Sequence, residues 1–447
     1  MSTVVALIDG EHYPPVVRAA LAALGAEFDI VAAAFVGGTE KVDASEPDVY
    51  GVPVVFASSA EEALRTAIAR YAPQAVIDLS DEPVVSSIDR FRLASIALGA
   101  GVSYRGADFL FTPPCPKLDL RTPTLAIVGT GKRVGKTGFS AYVARYLKAS
   151  GRHVVVLAMG RGGPTEPELI RGDDVMLSTA DLLALAAQGK HAASDNYEDA
   201  VMSRVATVGC RRCGGGMAGD TFFSNVPEGA RLADSLGMDL VMLEGSGAAI
   251  PPVAADATVL VIGAAQGPGY VRDYFGPFRL ARADAVVLTG AEEPVASPAN
   301  VDAMLEAIAE QRPGVPVATV GFRPAPLEPV SGKRVFFATT APPLLLPRLV
   351  EHLESVYECT VVAASPHLSN RSLLRADLDA AAGSFDVLLS ELKAAAIDVV
   401  AAAGVKAGVP TVLCDNVPIA FGGMPVDELI EAAAELALRR GCPPRSE

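Results

Sequence analysis

The stretch that decides the fold of this chain is a glycine-rich segment, Gly129-Thr130-Gly131-Lys132-Arg133-Val134-Gly135-Lys136-Thr137. The apolar run at 125–128, directly before it, predicts a buried parallel strand. Apolar residues at helical spacing after it, from Phe139 to Leu147, predict a helix that stops near Gly151. A strand, a glycine-rich turn ending in Gly-Lys-Thr and a helix are together the context of a phosphate-binding loop, or P-loop. The sequence therefore predicts a site for a nucleoside triphosphate.

The chemistry of a P-loop follows from its backbone. Glycines let the backbone turn its N–H groups towards an anion, and the N-terminus of the following helix adds partial positive charge. Lys136 is placed to reach the terminal phosphates and Thr137 to ligate Mg²⁺. We expect Lys132 and Lys136 to act in catalysis, together with Arg161 after a later strand. The expected nucleotide contacts are consecutive: Thr130, Gly131, Lys132, Arg133, Val134, Gly135, Lys136, Thr137 and Gly138.

The loop departs at one position from the usual P-loop spacing. The first glycine falls at Gly129, and Thr130 stands where that spacing puts the glycine. The form Gly-Thr-x-x-x-Val-Gly-Lys-Thr resembles the loop of dethiobiotin synthetase and its relatives. A glycine-rich turn that binds nothing is the alternative, and the strand and helix that flank the loop favour the nucleotide site.

Composition limits the fold and the function. The chain has 447 residues, enough for two or three domains. Half of them are hydrophobic, aromatic residues are few and Trp is absent, which is typical of parallel sheets covered by helices. We therefore predict an α/β fold of doubly wound parallel sheets. The net charge of -15 argues against nucleic-acid binding, although local arginines can still bind a phosphorylated substrate.

The sequence also predicts where in the cell the protein is found. The first residues lack the basic region of a signal peptide, and no apolar run approaches the length of a membrane span. Six cysteines in so long a chain do not indicate a disulfide framework. We expect a cytoplasmic protein without a membrane partner, and we allow for a homodimer.

Three domains are predicted along the chain. An N-terminal α/β domain at 1–117 ends in a proline-rich linker at 112–116. A central P-loop NTPase domain occupies 118–327, and a Rossmann-like α/β domain occupies 328–447.

The N-terminal domain offers candidate substrate ligands at its strand ends. Asp9 and His12 directly follow the first apolar strand, and ligands of such sheets bind beyond the carboxyl ends of the strands. Arg90, Arg92 and Arg105 lie on later segments that would face the same crevice. Taken singly, each arginine is more often a solvated surface residue.

Further candidates follow strands elsewhere. Arg161, among glycines after the strand at 154–159, suits a second phosphate contact. Glu244 ends another buried strand, where it would hold Mg²⁺ together with Thr137. Lys393, after the strand at 387–389, is a further candidate ligand for phosphate, although an exposed helical lysine is more common.

One Cys-x-x-Cys motif, Cys210 to Cys213, is followed by three glycines. A zinc site would need a second pair of ligands nearby, and redox chemistry would need a thioredoxin-like setting. We expect instead a flexible, lid-like loop with incidental thiols, whose two arginines are placed to touch phosphates.

Four segments together resemble the cyclic 2,3-diphosphoglycerate synthetase family: Ile8-Asp9-Gly10-Glu11-His12-Tyr13, Phe35-Val36-Gly37-Gly38-Thr39-Glu40-Lys41, Gly129 to Thr137, and Met159-Gly160-Arg161-Gly162-Gly163-Pro164. The resemblance runs nearly the whole length of the chain. It implies an enzyme that depends on ATP and Mg²⁺ and closes an intramolecular phosphoanhydride in 2,3-diphosphoglycerate, releasing ADP and phosphate. Arg and Lys donors are then expected around the highly charged substrate.

Two alternatives stay open at this point. One is a kinase, or a ligase like dethiobiotin synthetase, that acts on another small anion. The other is a nucleotide-driven switch or metal-chaperone ATPase, with Cys210 and Cys213 holding a metal. Switch ATPases carry a signature lysine five places before the loop lysine, and this chain has Gly131 there.

Overall fold

The computed structural model describes residues 1–38, 47–113, 117–175, 177–190, 192, 194–245 and 247–441. Of the segments singled out in the sequence, Thr39-Glu40-Lys41 and the linker residues Pro114-Cys115-Pro116 lie outside the described residues.

The N-terminal part forms a sheet of six strands with helices on its faces. The strand order is β3-β2-β1-β4-β5-β6, and all neighbours are parallel except β5 and β6. Ser59 accepts a hydrogen bond from the Glu62 N–H and so caps the start of one helix. The elements are β1 (Ser2–Ile8), α1 (Pro14–Leu24), β2 (Phe28–Phe35), β3 (Val54–Val55), α2 (Ala60–Tyr71), β4 (Ala75–Asp78), α3 (Ser87–Gly99), β5 (Ser103–Arg105) and β6 (Leu110–Phe111).

The central part contributes the strands around the P-loop. They lie in the order β11-β10-β8-β12-β7-β13-β14-β15, and β9 pairs with β10. Their elements are β7 (Thr124–Gly129), α4 (Lys136–Ala149), β8 (Val154–Gly160), β9 (Glu168–Arg171), α5 (Thr179–Ala187), α6 (Asp195–Ser203), β10 (Ala206–Gly215), β11 (Thr221–Ser224), α7 (Val226–Ser235), β12 (Leu240–Gly245), β13 (Ala257–Gly263), α8 (Gly269–Arg272), α9 (Gly276–Ala281), β14 (Ala285–Thr289), α10 (Pro298–Gln311) and β15 (Val317–Pro326).

The C-terminal part extends this sheet and does not form a separate one. Strand β15 pairs antiparallel with β19 over most of its length, and β18, β16 and β17 follow in parallel. The central and C-terminal parts therefore share one sheet of thirteen strands. The remaining elements are β16 (Arg334–Ala338), α11 (Leu346–Tyr357), β17 (Thr360–Ser365), α12 (Arg371–Ala380), β18 (Val387–Glu391), a π-helix (Ala396–Ala401), α13 (Ala402–Ala407), β19 (Thr411–Gly423) and α14 (Val426–Gly441).

Strand β7 shows why the sequence folds in this way. Its side chains are buried on both faces of the sheet, as its continuous apolar run predicts. Leu125 and Ile127 pack into the core shared with α4 and α14, and Ala126 and Val128 pack into the core on the opposite face. The prediction of an α/β fold with helices covering largely parallel sheets is confirmed.

Aromatic side chains join the N-terminal sheet to the central one. Phe91 on α3 packs against Tyr274 and Phe275, with ring centroids 5.0 and 5.2 Å apart. Phe111 on β6 meets the same Phe275 ring edge-on. These contacts place α3 and β6 beside the segment that leads into α9. Among the described residues, no helix combines the length and the apolar character needed to cross a bilayer.

Candidate functional site

The P-loop lies at the carboxyl end of β7, between β12 and β13. The Thr130 N–H donates to the Val261 carbonyl over 3.0 Å, and the Thr289 hydroxyl donates to the Val134 carbonyl over 2.7 Å. Arg133 and Gly135 both have positive φ, of 64° and 76°, which turns successive N–H groups of the loop to one side. The loop is thus held in an anion-binding shape by neighbouring strands.

Gly135 shows why the loop needs a glycine at this position. A Cβ there would lie 2.3 Å from the Phe322 ring, and the positive φ already disfavours a side chain. Helix α4 begins at the next residue, Lys136, and its free N–H groups therefore face the loop.

Lys136 forms a buried ion pair with Glu244, the carboxylate at the end of β12. The exposed fraction of the lysine is 6% and that of the glutamate is 1%. The Thr137 hydroxyl lies 3.5 Å from the same carboxylate. The structure therefore brings together Lys136, Thr137 and Glu244, three residues that the sequence predicts to share a site.

Two carboxylates of α6, Asp195 and Asp199, belong to the same site, and sequence reasoning missed both. The Oδ2 atoms of both residues are buried and have no hydrogen-bond partner. Burial raises the pKa of Asp199 well above its ordinary value, and the charges of Glu244 and Asp195 raise it further. Burial also raises the pKa of Glu244, although Lys136 opposes the shift. Several acidic side chains are thus buried close to Lys136, and each makes it harder for the others to ionise.

The sequence carried only a weak signal for α6. Acidic residues such as Asp195 and Glu198 are common in the first turn of any helix, because they interact favourably with the helix dipole. The residues reach the P-loop because the helix packs between β8 and α4, where Gly160 leaves room for the Asp195 side chain. No local motif reports such packing.

Arg161 lies directly after β8, beside the P-loop region. One of its Nη atoms is 3.5 Å from the place where a Cβ on Gly247 would lie, and the Gly247 carbonyl borders Gly129. Arg212 on β10 shares this region. Burial lowers the pKa of Arg212, and the charge of Arg161 lowers it further. Two guanidinium groups therefore repel each other at the edge of the site.

The Cys-x-x-Cys segment is not the flexible loop that the glycines suggested. Its residues continue β10 to Gly215, which pairs with β11 in a hairpin. Cys210 is buried, and burial raises the pKa of its thiol to about 12, which makes it a poor nucleophile and metal ligand. Cys213 is exposed. In the part of the chain that the structure describes, no three His, Cys, Asp or Glu side chains are arranged to hold a metal ion.

At the N-terminal sheet edge, Asp9 and His12 form one network. The buried Asp9 carboxylate accepts from the N–H groups of Glu11, His12 and Asp81 and contacts the His12 Nδ1 over 2.9 Å. The other ring nitrogen of His12 lies 3.2 Å from Asp81. Hydrogen bonding to Asp9 raises the pKa of His12 against the opposing effect of burial.

The three arginines predicted for this edge differ in placement. Arg90 reaches it, but its guanidinium donates to Asp78 over 2.8 Å and to the Ser80 carbonyl over 2.9 Å. Arg92 lies on the same helix, and its buried Nε has no hydrogen-bond partner. Arg105 does not join them, because its guanidinium lies over the ring of Phe28, the first residue of β2.

Lys393 lies far along the chain from these residues and forms an ion pair with Glu198 on α6. It therefore belongs to the acidic surroundings of the P-loop and not to the N-terminal edge. Glu198 in turn interacts electrostatically with Asp195 and Lys136.

The segment at 264–275 contacts both the P-loop and helix α3 of the N-terminal part. At one end, the Gln266 side chain contacts the Thr130 hydroxyl of the P-loop. At the other end, Tyr274 packs against Phe91, the neighbour of Arg90 and Arg92. Tyr274 has a φ of 52°, an unusual conformation for a bulky residue.

Comparison with known proteins gives one consistent result. Family models described as the N-terminal domain, the P-loop domain and the C-terminal domain of cyclic 2,3-diphosphoglycerate synthetase match residues 3–112, 124–320 and 326–417. A cyclic 2,3-diphosphoglycerate synthetase of Rubrobacter xylanophilus is 50% identical over 93% of this chain and 94% of its own. That of Methanothermus fervidus is 45% identical over 97% of each chain. That of Thermococcus kodakarensis is 46% identical over 97% of this chain and 98% of its own.

Proposed function

This chain belongs to the cyclic 2,3-diphosphoglycerate synthetase family, and from that premise we propose how its residues carry out the reaction. The protein is an enzyme with a nucleotide-binding P-loop. We propose that the nucleotide is ATP and that the acceptor is 2,3-diphosphoglycerate. One acceptor phosphate receives the γ-phosphoryl group and is thereby activated. The second acceptor phosphate then attacks it, closes the cyclic anhydride and expels inorganic phosphate.

The Lys136–Glu244 ion pair is the observation that carries this proposal. When ATP binds, its phosphates would replace the Glu244 carboxylate as the partner of the buried Lys136 ammonium group. Glu244 is then left without its cation. A divalent cation bound together with the nucleotide would balance the charge of Glu244.

The residues beside Lys136 fit Mg²⁺. Carboxylate and hydroxyl oxygens are its preferred protein ligands, and a magnesium site takes only a few of them, with water and phosphate completing the shell. Thr137 and Glu244 would hold the ion, and Asp195 offers an oxygen that has no other partner. Mg²⁺ would supply neutralisation of charge on the transferring phosphates. Lys132, Lys136 and Arg161 would orient those phosphates from the protein side.

We propose that the N-terminal edge forms one wall of the acceptor site, next to the P-loop. The segment at 264–275 contacts the P-loop at Thr130 and helix α3 at Phe91, the neighbour of Arg90, which supports their proximity. His12 would donate to an acceptor phosphate, and Arg90 and Arg92 would neutralise it. Asp9 fixes the imidazole in place. Lys393 and Arg105 stay weaker candidates because of their positions. The cytoplasmic location and the homodimer also stay predictions.

The test follows the reaction by phosphorus NMR with ATP, Mg²⁺ and 2,3-diphosphoglycerate. The wild-type enzyme is expected to give the signal of a cyclic pyrophosphate together with ADP and phosphate. The Lys136→Ala variant is expected to give none of these products. Lys148→Ala is the matched control, because Lys148 is exposed on the same helix. A new phosphomonoester signal without cyclisation would favour a kinase, and ATP hydrolysis that leaves the acceptor unchanged would refute the proposal.

A further inference from the structure

Two arginines continue the row of charged groups at the carboxyl edge of the central sheet. Strands β7, β12, β8 and β10 are neighbours in this order and run parallel. The P-loop follows β7, and Glu244 lies at the end of β12. Arg161 directly follows β8, and Arg212 lies where the pairing of β10 with β8 ends. Since neighbouring strands lie about 4.8 Å apart, the backbones of the two arginines lie about 5 and 10 Å beyond Glu244, on the side away from the P-loop.

Both arginines belong to the face of the sheet on which the N-terminal part packs. Met159 on β8 and Cys210 on β10 are buried in the core on the face opposite α4. Side chains alternate along a strand, so Arg161 and Arg212, each two residues further along the chain, are on that same face. Helix α3, which carries Arg90, packs into the same core. The two arginines and the N-terminal wall of the acceptor site are therefore on one side of the central sheet.

The loop after Arg161 is fastened to β10. The buried Asn225 side chain accepts from the Arg211 N–H over 2.7 Å and donates to the Pro164 carbonyl over 3.2 Å. The two guanidinium groups are close enough that the charge of Arg161 adds to the effect of burial in lowering the pKa of Arg212. Fixed backbone contacts thus hold two cations near each other, an arrangement that a bound anion stabilises.

The geometry of phosphoryl transfer requires an acceptor at this place. The attacking and leaving oxygens lie roughly in line through the transferred phosphorus. ATP in the P-loop would place its terminal phosphate at Lys136, beside Glu244, with its ADP portion held by the loop itself. The attacking oxygen then comes from the side of Glu244 away from the P-loop, where Arg161 and Arg212 lie.

We propose that Arg212, together with Arg161, binds the acceptor phosphate that receives the γ-phosphoryl group. This inference rests on the proposed function and adds a second wall to the acceptor site, opposite His12 and Arg90. An oxygen of the bound phosphate attacks the γ-phosphorus, the bond from that phosphorus to the bridging oxygen of ADP breaks, and ADP leaves with the electron pair. No proton moves in this step. The two guanidinium groups neutralise the attacking phosphate, which the γ-phosphate would otherwise repel.

Isothermal titration calorimetry with 2,3-diphosphoglycerate tests the proposal. The protein is first saturated with a non-hydrolysable ATP analogue and Mg²⁺, so that the P-loop is filled. The wild type is expected to bind the acceptor, and Arg212→Gln is expected to bind it at least roughly tenfold more weakly. The affinity of this variant for the ATP analogue, measured separately, is expected to match that of the wild type. Arg231→Gln is the matched control, because Arg231 is exposed on α7, which packs on the same face of the sheet.

Two results would overturn the proposal: equal affinity for the acceptor in Arg212→Gln and the wild type, or a matching loss of affinity for the ATP analogue. Failure of the proposed function differs from both, because the wild type itself then binds no 2,3-diphosphoglycerate and gives no cyclic product, which overturns both. If Arg212→Gln does not fold, labelling of wild-type arginines with phenylglyoxal decides. The acceptor should protect Arg212 and leave the labelling of Arg231 unchanged, and peptide masses that show no protection of Arg212 refute the proposal.

Discussion

Two carboxylates at strand ends, Asp9 in the N-terminal sheet and Glu244 in the central sheet, occupy equivalent places but differ in their partners. Asp9 accepts three backbone N–H groups and contacts the His12 ring. Glu244 is buried, and its partners are the side chains of Lys136 and Thr137. A carboxylate satisfied by fixed backbone donors holds a loop in shape. A carboxylate whose main partner is one lysine loses that partner when the lysine binds a ligand, and it is then available to bind a cation.

Lys136→Ala tests this contrast most severely. In the proposed mechanism, loss of the cation removes a contact to the transferring phosphates, and it leaves Glu244 buried beside other acids. We expect kcat/KM to fall by a factor that corresponds to about 3 kcal/mol or more. Steady-state kinetics check this, and circular dichroism checks that the fold persists. Wild-type activity would mean that Glu244 and Asp9 do not differ in the way described.

Glu244→Gln is expected to have the next largest effect. The amide keeps the shape but cannot neutralise a divalent cation, so catalysis weakens and the requirement for Mg²⁺ rises. A Mg²⁺ titration of the activity measures this. Glu228→Gln, an exposed residue on α7, is the control. An unchanged Mg²⁺ dependence would remove Glu244 from the metal site.

The sequence predicted residues that lie in one motif or at one edge of a parallel sheet. It did not predict residues that only tertiary packing brings together. Thr137 and Lys136 are neighbours in one motif, and Glu244 was found because parallel strands end at one edge. Asp195 and Asp199 were missed because only the packing of α6 brings them in. Gly214 and Gly215 suggested a loop, yet β10 continues through them, and Gly215 pairs with Thr221 of β11. The pairing of β15 with β19 joins distant segments and has no local signal.

Asp9→Asn is expected to affect stability more than chemistry. Burial raises the pKa of Asp9, but the hydrogen bonds from Asp81 and His12 outweigh it, and the net pKa is lowered. The contribution of Asp9 to stability is therefore present above its ordinary pKa and is lost as pH falls through the lowered value. The variant should unfold about 1–3 kcal/mol more easily at neutral pH. Denaturant unfolding measures this, with Asp29→Asn, exposed on β2, as the control. If Asp9→Asn and the wild type are equally stable, the negative charge of Asp9 does not strengthen its hydrogen bonds with the backbone N–H groups.

The smallest effect is expected from substitution of His12, the side-chain partner of Asp9, and it concerns the binding of the acceptor substrate. Its imidazole lies between Asp9 and Asp81, and hydrogen bonding to Asp9 raises its pKa. The charged form therefore persists above the ordinary value of about 6.5, and its contribution to stability is lost as pH rises through the folded-state pKa. Because the Asp81 side chain is 75% exposed, an acceptor phosphate can displace it and take the same donor.

His12→Ala should then raise KM for the diphosphoglycerate several-fold below that pKa, roughly tenfold at most, and leave nucleotide affinity near normal. In the wild type, KM for the acceptor should rise with pH across the same range, and in the variant this rise should disappear. His153→Ala is the control, because His153 is exposed and also paired with an aspartate. An equal loss of nucleotide affinity would mean that the N-terminal edge supports the whole assembly. A pH profile identical in variant and wild type would place the acceptor elsewhere, because no other property of His12 predicts a KM that depends on its charge.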